Sequence, residues 1–456
     1  MGERPAVEVS ISRAWARRVA CALALAVPSA GVAATYHVAP PPAGSDANPG
    51  TQAAPWATLQ HAADTVGPGD TVLVHAGNFV GFHLSTSGTL AQPIVFRAAT
   101  GEVAAITADN AQTPDGINLE GASYVTLEGF RVNGRTRAGI RAVLCRGVRI
   151  RGNLADQNGR WGIFTGCCED LTIEDNEASR SGLEHGIYVS NSGDRPIVRG
   201  NYLWGNNANG LHMNGDLSVD CDGFVPTDGV ISNALVEGNV ISGNGVAGGS
   251  GINGDGVQSS LFRNNLIFDS HASGISLYQI DGGQPSTGNR VEHNTVVVAS
   301  NGRWALNIQD GSSGNTVRNN TFWSDHGVRG AMNVCATCLA GFVSDRNAVE
   351  DRFTLDDGDS TLTLAQWRTA TGQDASSFVA TPAALFVAPA SGDFHLRAGS
   401  PALDAGLPLA DLGADLEGTP RPIGNGWDIG AYEGLTLLFA DGFEPGATSR
   451  WSARRP

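Results

Sequence analysis

The chain has 456 residues and a formal net charge of −16, with 29 basic residues against 45 acidic ones. Every basic residue is an arginine, so lysine is excluded as a base, and the acidic balance argues against a general nucleic-acid or anionic-membrane surface. Sixty glycines in an asparagine-rich, turn-rich text suit many short strands and corners.

In chain order, Arg13, Arg17 and Arg18 precede an apolar run, Val19 to Val27, and small residues through Ala34. This predicts an export signal over residues 1–34, with a run too short to span a bilayer. The expected product is secreted or periplasmic, monomeric and without stable membrane insertion. Residues 35–138 are expected to hold an N-terminal cap and the first coils. They begin with a strand at Tyr36–Val38, an amphipathic helix at Trp56–Val66 and a return to strand at Asp70–Val74. Ile94–Phe96, Ile117–Leu119 and Val125–Leu127 read as early coils.

Residues 139–344 carry a repeat. Anchored on Gly139, Gly162, Gly186, Gly210, Gly251, Gly274, Ala305 and Ala331, eight segments recur at intervals of 23, 24, 24, 41, 23, 31 and 26 residues. The next residue is always large and apolar (Ile140, Ile163, Ile187, Leu211, Ile252, Ile275, Leu306, Met332). Two positions further on comes Ala142, Thr165, Val189, Met213, Gly254, Leu277, Ile308 or Val334. Alternation places these two columns inward and the residues between them outward. A low-twenties period is one turn of a parallel β-coil, and the longer gaps are loop insertions. A ladder of Asn153, Asn176, Asn201, Asn239, Asn265, Asn294 and Asn320 reads as structural, because stacked amides bond along a coil axis. Residues 345–437 are expected to form a C-terminal cap, with a short helix at Leu364–Thr371 and a strand at Asp393–Leu396, and residues 438–456 a polar tail. The fold class is therefore all-β: a parallel β-helix, or solenoid, with an N-terminal helical cap and an irregular C-terminal cap, right-handed by the general crossover preference.

Six cysteines follow the signal. Cys145 and Cys168 each lie six residues beyond an anchor, on stacked coils about 4.8 Å apart, which predicts a disulfide between them with Cys167 as the alternative partner. Cys221 is left to pair with the remaining one, and Cys335–Cys338 reads as a structural clip.

Three segments carry a family resemblance. Tyr36–Pro40, Gly44–Gly50 and Pro55–Leu59 are similar to the opening of pectate-lyase-like right-handed β-helix proteins, including the family 9 pectate lyases. Gly399–Gly406 and Asp428–Glu433 resemble the closing module of secreted bacterial β-helices, and Phe439–Glu444 with Trp451 a tail of exported proteins. The resemblance implies a right-handed β-helix and a carbohydrate-active protein: polysaccharide lyase, glycoside hydrolase or epimerase. Family 9 lyases use a lysine base, and this chain has none.

The outward columns supply the chemistry. One holds Tyr188, His212, Asn253, Ser276 and Asn307, the other Ser190, Asn214, Asp255, Tyr278 and Gln309. In register they make one polar strip against which a sugar chain can lie, although exposed strand positions on any solenoid are polar. Tyr188 and His212 on adjacent coils are the sharpest acid–base pair, suited to β-elimination of a 4-linked uronate. Asp255 is expected to orient His212 or act as an acid, Tyr278 to join the catalytic set, and His185 to add an imidazole near the mouth. Ser190, Asn214, Asn253, Asn307 and Gln309 are the expected substrate contacts. Asp216, Asp220 and Asp222 in the long insertion read either as a calcium site or as turn carboxylates, with turns slightly favoured. Two alternatives stay open: a hydrolase using a pair among Asp216, Asp255, Asp281 and Asp310, and a non-catalytic polysaccharide-binding or surface protein.

Overall fold

In a computed structural model of the protein, the described residues are 33–409 and 411–434. The polar tail and nearly all of the export-signal segment lie outside them. Among the described residues, short strands stack into three long sheets of twelve, eleven and twelve strands, each coil giving one strand to each sheet. One full coil runs through Arg149–Arg151, Leu154–Asp156 and Trp161–Glu169. The stacked pairs are parallel throughout the three sheets.

The predicted columns pair without slippage. Ile140, Ile163, Ile187, Leu211, Ile252, Ile275, Leu306 and Met332 are neighbours on successive strands, and all are fully buried. The anchor glycines precede them for a steric reason. A Cβ on Gly139 would stand 2.7 Å from the carbonyl oxygen of Gly162, and one on Gly162 equally close to that of Gly186. The asparagine ladder is continuous. Each amide donates to the side-chain oxygen of the next Asn, as from Asn201 to Asn239 at 2.9 Å, and also to a main-chain carbonyl, as from Asn239 to Val198 at 2.9 Å. It runs on to Asn347. Its amides thus pair main-chain groups that the corner would otherwise leave unpaired.

A second ladder lies on the outside of the first twelve-stranded sheet. Arg97, Glu128, Arg151, Glu174, Arg199, Glu237, Arg263, Glu292, Arg318 and Asp345 occupy one column with strictly alternating sign. Arg199 reaches Glu174 at 2.7 Å and Arg263 reaches Glu237 at 2.8 Å. Pairs at a solenoid surface add modest strength one by one, although Glu174 itself is buried. Alternation instead penalises any pairing that skips a coil, since like charges would then face each other.

The ends differ from the sequence reading in three places. The helix spans Leu59–Thr65, capped by the Thr58 hydroxyl, because Trp56 is held outside it. Trp56 stacks on Tyr36 at 4.4 Å and its indole N–H donates to Asn48. The coil also continues past residue 344, with Ala348–Val349, Phe353–Thr354 and Phe378–Val379 joining the sheets. The helix Leu364–Thr371 stands where predicted, with a Thr363–Gln366 capping box, and seats Trp367 on Phe353. The closing segment, by contrast, lies along the flank: Phe386, Phe394, Ile429 and Tyr432 cluster with Leu266 and Val297 of the coils. Its buried Arg421–Glu433 pair, at 2.6 Å, is hydrogen-bonded to Asn264 of the solenoid. None of the described helices is long and apolar enough to cross a membrane.

All three disulfides are formed: Cys145–Cys168, Cys167–Cys221 and Cys335–Cys338. The second ties the long insertion after Asn214 back to the strand two coils earlier.

Candidate active site

The eleven-stranded sheet carries the strip in the predicted register. Tyr188, His212, Asn253, Ser276 and Asn307 are neighbours on consecutive strands, as are Ser190, Asn214, Asp255 and Tyr278. The strip is less open than its outward position implies. Ser190, Asn214, Asn253, Ser276 and Asp255 are 2% to 6% exposed, while Tyr188, His212, Tyr278, Asn307 and Gln309 are half-buried. At one side the insertion 215–230 and the loop 279–286 bond each other through Leu217 to Asp281 (3.0 Å) and Gly283 to Gly229 (2.8 Å), and the Asn214 amide donates to Asp281 at 3.3 Å.

The centre is aromatic. The Tyr188 and His212 rings stack at 4.8 Å with 14° between their planes. Phe164 meets Tyr188 edge-on at 5.4 Å, and Trp161 stands 6.0 Å away. The Tyr188 hydroxyl accepts from the Asn214 amide at 3.1 Å. Burial, the largest cause, pushes its pKa above the ordinary phenol value, and Asp216 and Glu184 add to the effect. His185 is buried and approaches His212, Nε2 to Nδ1, at 3.0 Å. Burial, helped by Arg160, pulls the pKa of His185 down to about 3; burial also holds His212 well below the usual imidazole value. Both rings are therefore neutral at ordinary pH. His212 Nε2 is buried without a hydrogen-bond partner, and so is Asn214 Oδ1.

The remaining candidates fall into place around this pair. His212 bonds His185 rather than Asp255. Asp255 instead accepts the main-chain N–H groups of Ile280, Asp281 and Gly282 at 2.8, 2.8 and 3.0 Å, and so shapes the loop 279–286. Burial raises its pKa. Tyr278 accepts from Asn253 at 2.6 Å, and burial, then Asp255, raises its pKa too. Asn307 is bonded by Asn333 at 2.8 Å and approached by Gln309 at 3.5 Å, forming the far end of the strip. In the insertion, Asp216 accepts from Ser218 and Asp220 from Asp222, each two residues on, as turn carboxylates do. Among the described residues no three His, Cys, Asp or Glu side chains converge as a metal site requires.

Sequence reasoning passed over Trp161 and Asn209. Both stand one residue before an anchor glycine, as His185 does, and that column was the signal available. Asn209 holds His185, its main-chain N–H and side-chain amide both lying 3.2 Å from Nδ1.

Fold and strip together define a right-handed parallel β-helix with neutral acid–base groups on one sheet face. Residues 36–243, just under half of the chain, match the family model described as Pel9A-like, right handed beta helix region, and the fold is a β-solenoid. Among solved structures, the chain is similar to pectate lyase Pel9A at 16% identity, TM-score 0.59, with 88% of this chain and 96% of that one covered. A rhamnogalacturonan lyase matches at 16% identity and TM-score 0.51 over 83% of this chain and 96% of the other. XylC in complex with xylose matches at 11% identity and TM-score 0.51 over 88% and 99%. At such identities the likeness is one of fold. The uncharacterized protein YwoF of Bacillus subtilis (strain 168) is 25% identical over 199 residues, 38% of this chain and 42% of its own length, so the chain spans less than half of that relative.

Proposed function

We propose that the protein is a secreted carbohydrate-active enzyme, a polysaccharide lyase that cleaves a uronate-containing chain by β-elimination. The observation that carries this reading is the stacked Tyr188–His212 pair at the middle of the polar strip. Elimination breaks the C5–H bond of the uronate, forms the C4–C5 double bond and expels the glycosidic oxygen. It needs a base at C5, a proton for the leaving oxygen and a donor for the charge that develops on the carboxylate. With no lysine in the chain, we assign these needs to Tyr188 and His212, supported by the Asn214 and Asn253 amides of the same strip. The fold shared with proteins named as pectate and rhamnogalacturonan lyases supports the substrate class, and the disulfides suit an exported protein. The aspartate-pair hydrolase reading is weakened at Asp255, whose oxygens are taken by three main-chain donors.

The test is a panel of pectin, alginate, glycosaminoglycans and bacterial exopolysaccharides, with and without chelator, read for unsaturated uronate and for reducing ends. Unsaturated ends are expected from at least one acidic polymer. Reducing ends without unsaturation would mean hydrolysis, and no cleavage of any polymer would leave the binding-protein alternative.

A further inference from the structure

We infer that His185 is a positioning residue that holds His212 in the tautomer protonated on Nε2, so that His212 offers the strip a hydrogen-bond donor for an anionic oxygen and not a basic lone pair.

One chain of bonds leads from Asn209 through His185 to His212. The main-chain N–H of Asn209 donates to His185 Nδ1 at 3.2 Å. A main-chain amide has no other role to play, so Nδ1 of His185 is the lone-pair nitrogen. The Asn209 side chain agrees: its oxygen accepts from the Ser250 N–H, which turns its NH₂ group toward the same Nδ1. A neutral His185 then carries its proton on Nε2, 3.0 Å from Nδ1 of His212. That bond makes His212 Nδ1 the acceptor, and the remaining proton of a neutral His212 must sit on Nε2. The low pKa values of both buried rings keep the pair neutral, in agreement with the geometry.

His212 Nε2 has no partner in the protein although it is buried. An unpaired buried donor is costly, and a substrate oxygen that pairs with Nε2 must displace the atoms that now cover it. The stacked Tyr188 ring holds the imidazole plane in place, so the direction of the N–H is set as well as its identity. A second proton on Nδ1 would point at the His185 N–H, which bars His212 from becoming an imidazolium without breaking the chain of bonds. Resting on the lyase reading, this assigns His212 to the carboxylate of the uronate, whose negative charge grows as the C5 proton leaves, and leaves the proton transfer to Tyr188.

The test is two-bond ¹H–¹⁵N spectroscopy of protein labelled at histidine, with the His212 signals assigned by their loss in His212→Gln. A protonated Nε2 and a bare Nδ1 are expected in the wild type. A protonated Nδ1, or a rapidly averaging mixture, would overturn the inference. His185→Leu removes the donor and is expected to release His212 into a mixture, while His185→Gln, whose amide N–H reaches a similar point, is expected to restore the Nε2 form. If His185→Leu leaves the tautomer unchanged, His185 does not set it. Should His185→Leu fail to fold, the wild-type and His185→Gln spectra still decide. These spectra need no substrate. The predicted tautomer in a protein that forms no unsaturated uronate would sink the lyase reading alone, and lyase activity with Nδ1-protonated His212 would sink this inference alone.

Discussion

At the scale of single residues, the chemistry rests on groups whose protonation burial has moved away from the neutral range. His185 and His212 stay uncharged well below the ordinary imidazole value, and Tyr188 stays a phenol beyond its ordinary one. The pH–rate profile should therefore show no limb at about pH 6–7, where an unperturbed imidazole titrates. With Tyr188 as the base, the rate should climb into the alkaline range as the phenolate fraction grows. An acidic limb near 6.5 that disappears in His212→Gln would show a titrating imidazole and contradict this account. The positions of Tyr188, His212 and the strip around them were legible, because strand alternation and a constant anchor fix which side chains share a column. The bond from Asn209 to His185 was not, since the column before the anchors mixes Trp161, His185 and Asn209 and shares no residue type. The burial of Asn214 was also hidden: its amide donates to Asp281 of loop 279–286, and loop paths leave no period in the sequence.

At the scale of elements, the solenoid is specified by ladders that run across coils. The glycine and aliphatic columns and the asparagine ladder could be read from spacing because they recur in the regular coils. The alternating charge column has the same intervals, each member from Arg151 to Asp345 standing two residues before a ladder asparagine, but it was hidden because neighbouring coils carry opposite charges and no residue type recurs from one coil to the next. It makes a sharp prediction. Arg199 stands between Glu174 and Glu237, so Arg199→Glu would set three carboxylates side by side. It should cost about 1 kcal/mol more than Arg199→Ala, with the difference shrinking in high salt. Urea denaturation at two ionic strengths reads this directly, and equal losses for both variants would mean that the ladder has no bearing on pairing.

At the scale of the whole molecule, the closing segment fastens onto the solenoid flank through buried polar groups as well as its apolar cluster. Asp428 is fully buried, accepts the N–H groups of Asp404 and Gly434 at 2.7 and 2.6 Å, and has its pKa raised to about 7, chiefly by burial. An acid with a raised folded-state pKa binds more protons folded than unfolded. Its contribution is thus fully present below the unfolded value of about 3.9 and is lost as pH rises to about 7. The buried histidines work in the opposite direction, losing stability as pH falls below about 6.5, so the Asp428 part must be isolated by comparison. Asp428→Asn should flatten the decline in melting temperature between pH 5 and about 8 relative to wild type; parallel curves would show that Asp428 is ionised in the folded protein. The stacked parallel coils were legible in the sequence, whereas the flank position of the closing segment was not, because its partners Asn264, Thr295 and Asn319 lie more than about eighty residues away and share no pattern with it.

The central claim is that this β-helix eliminates uronate at Tyr188 and His212, and the most direct measurement is the ultraviolet trace of unsaturated uronate formed by wild type and Tyr188→Phe on the same acidic polysaccharide. The phenylalanine keeps the ring stack and removes only the hydroxyl, so the fold should persist while the rate falls by about 10²–10⁴-fold. An unchanged rate in Tyr188→Phe would contradict the account even if the polymer is cleaved by elimination.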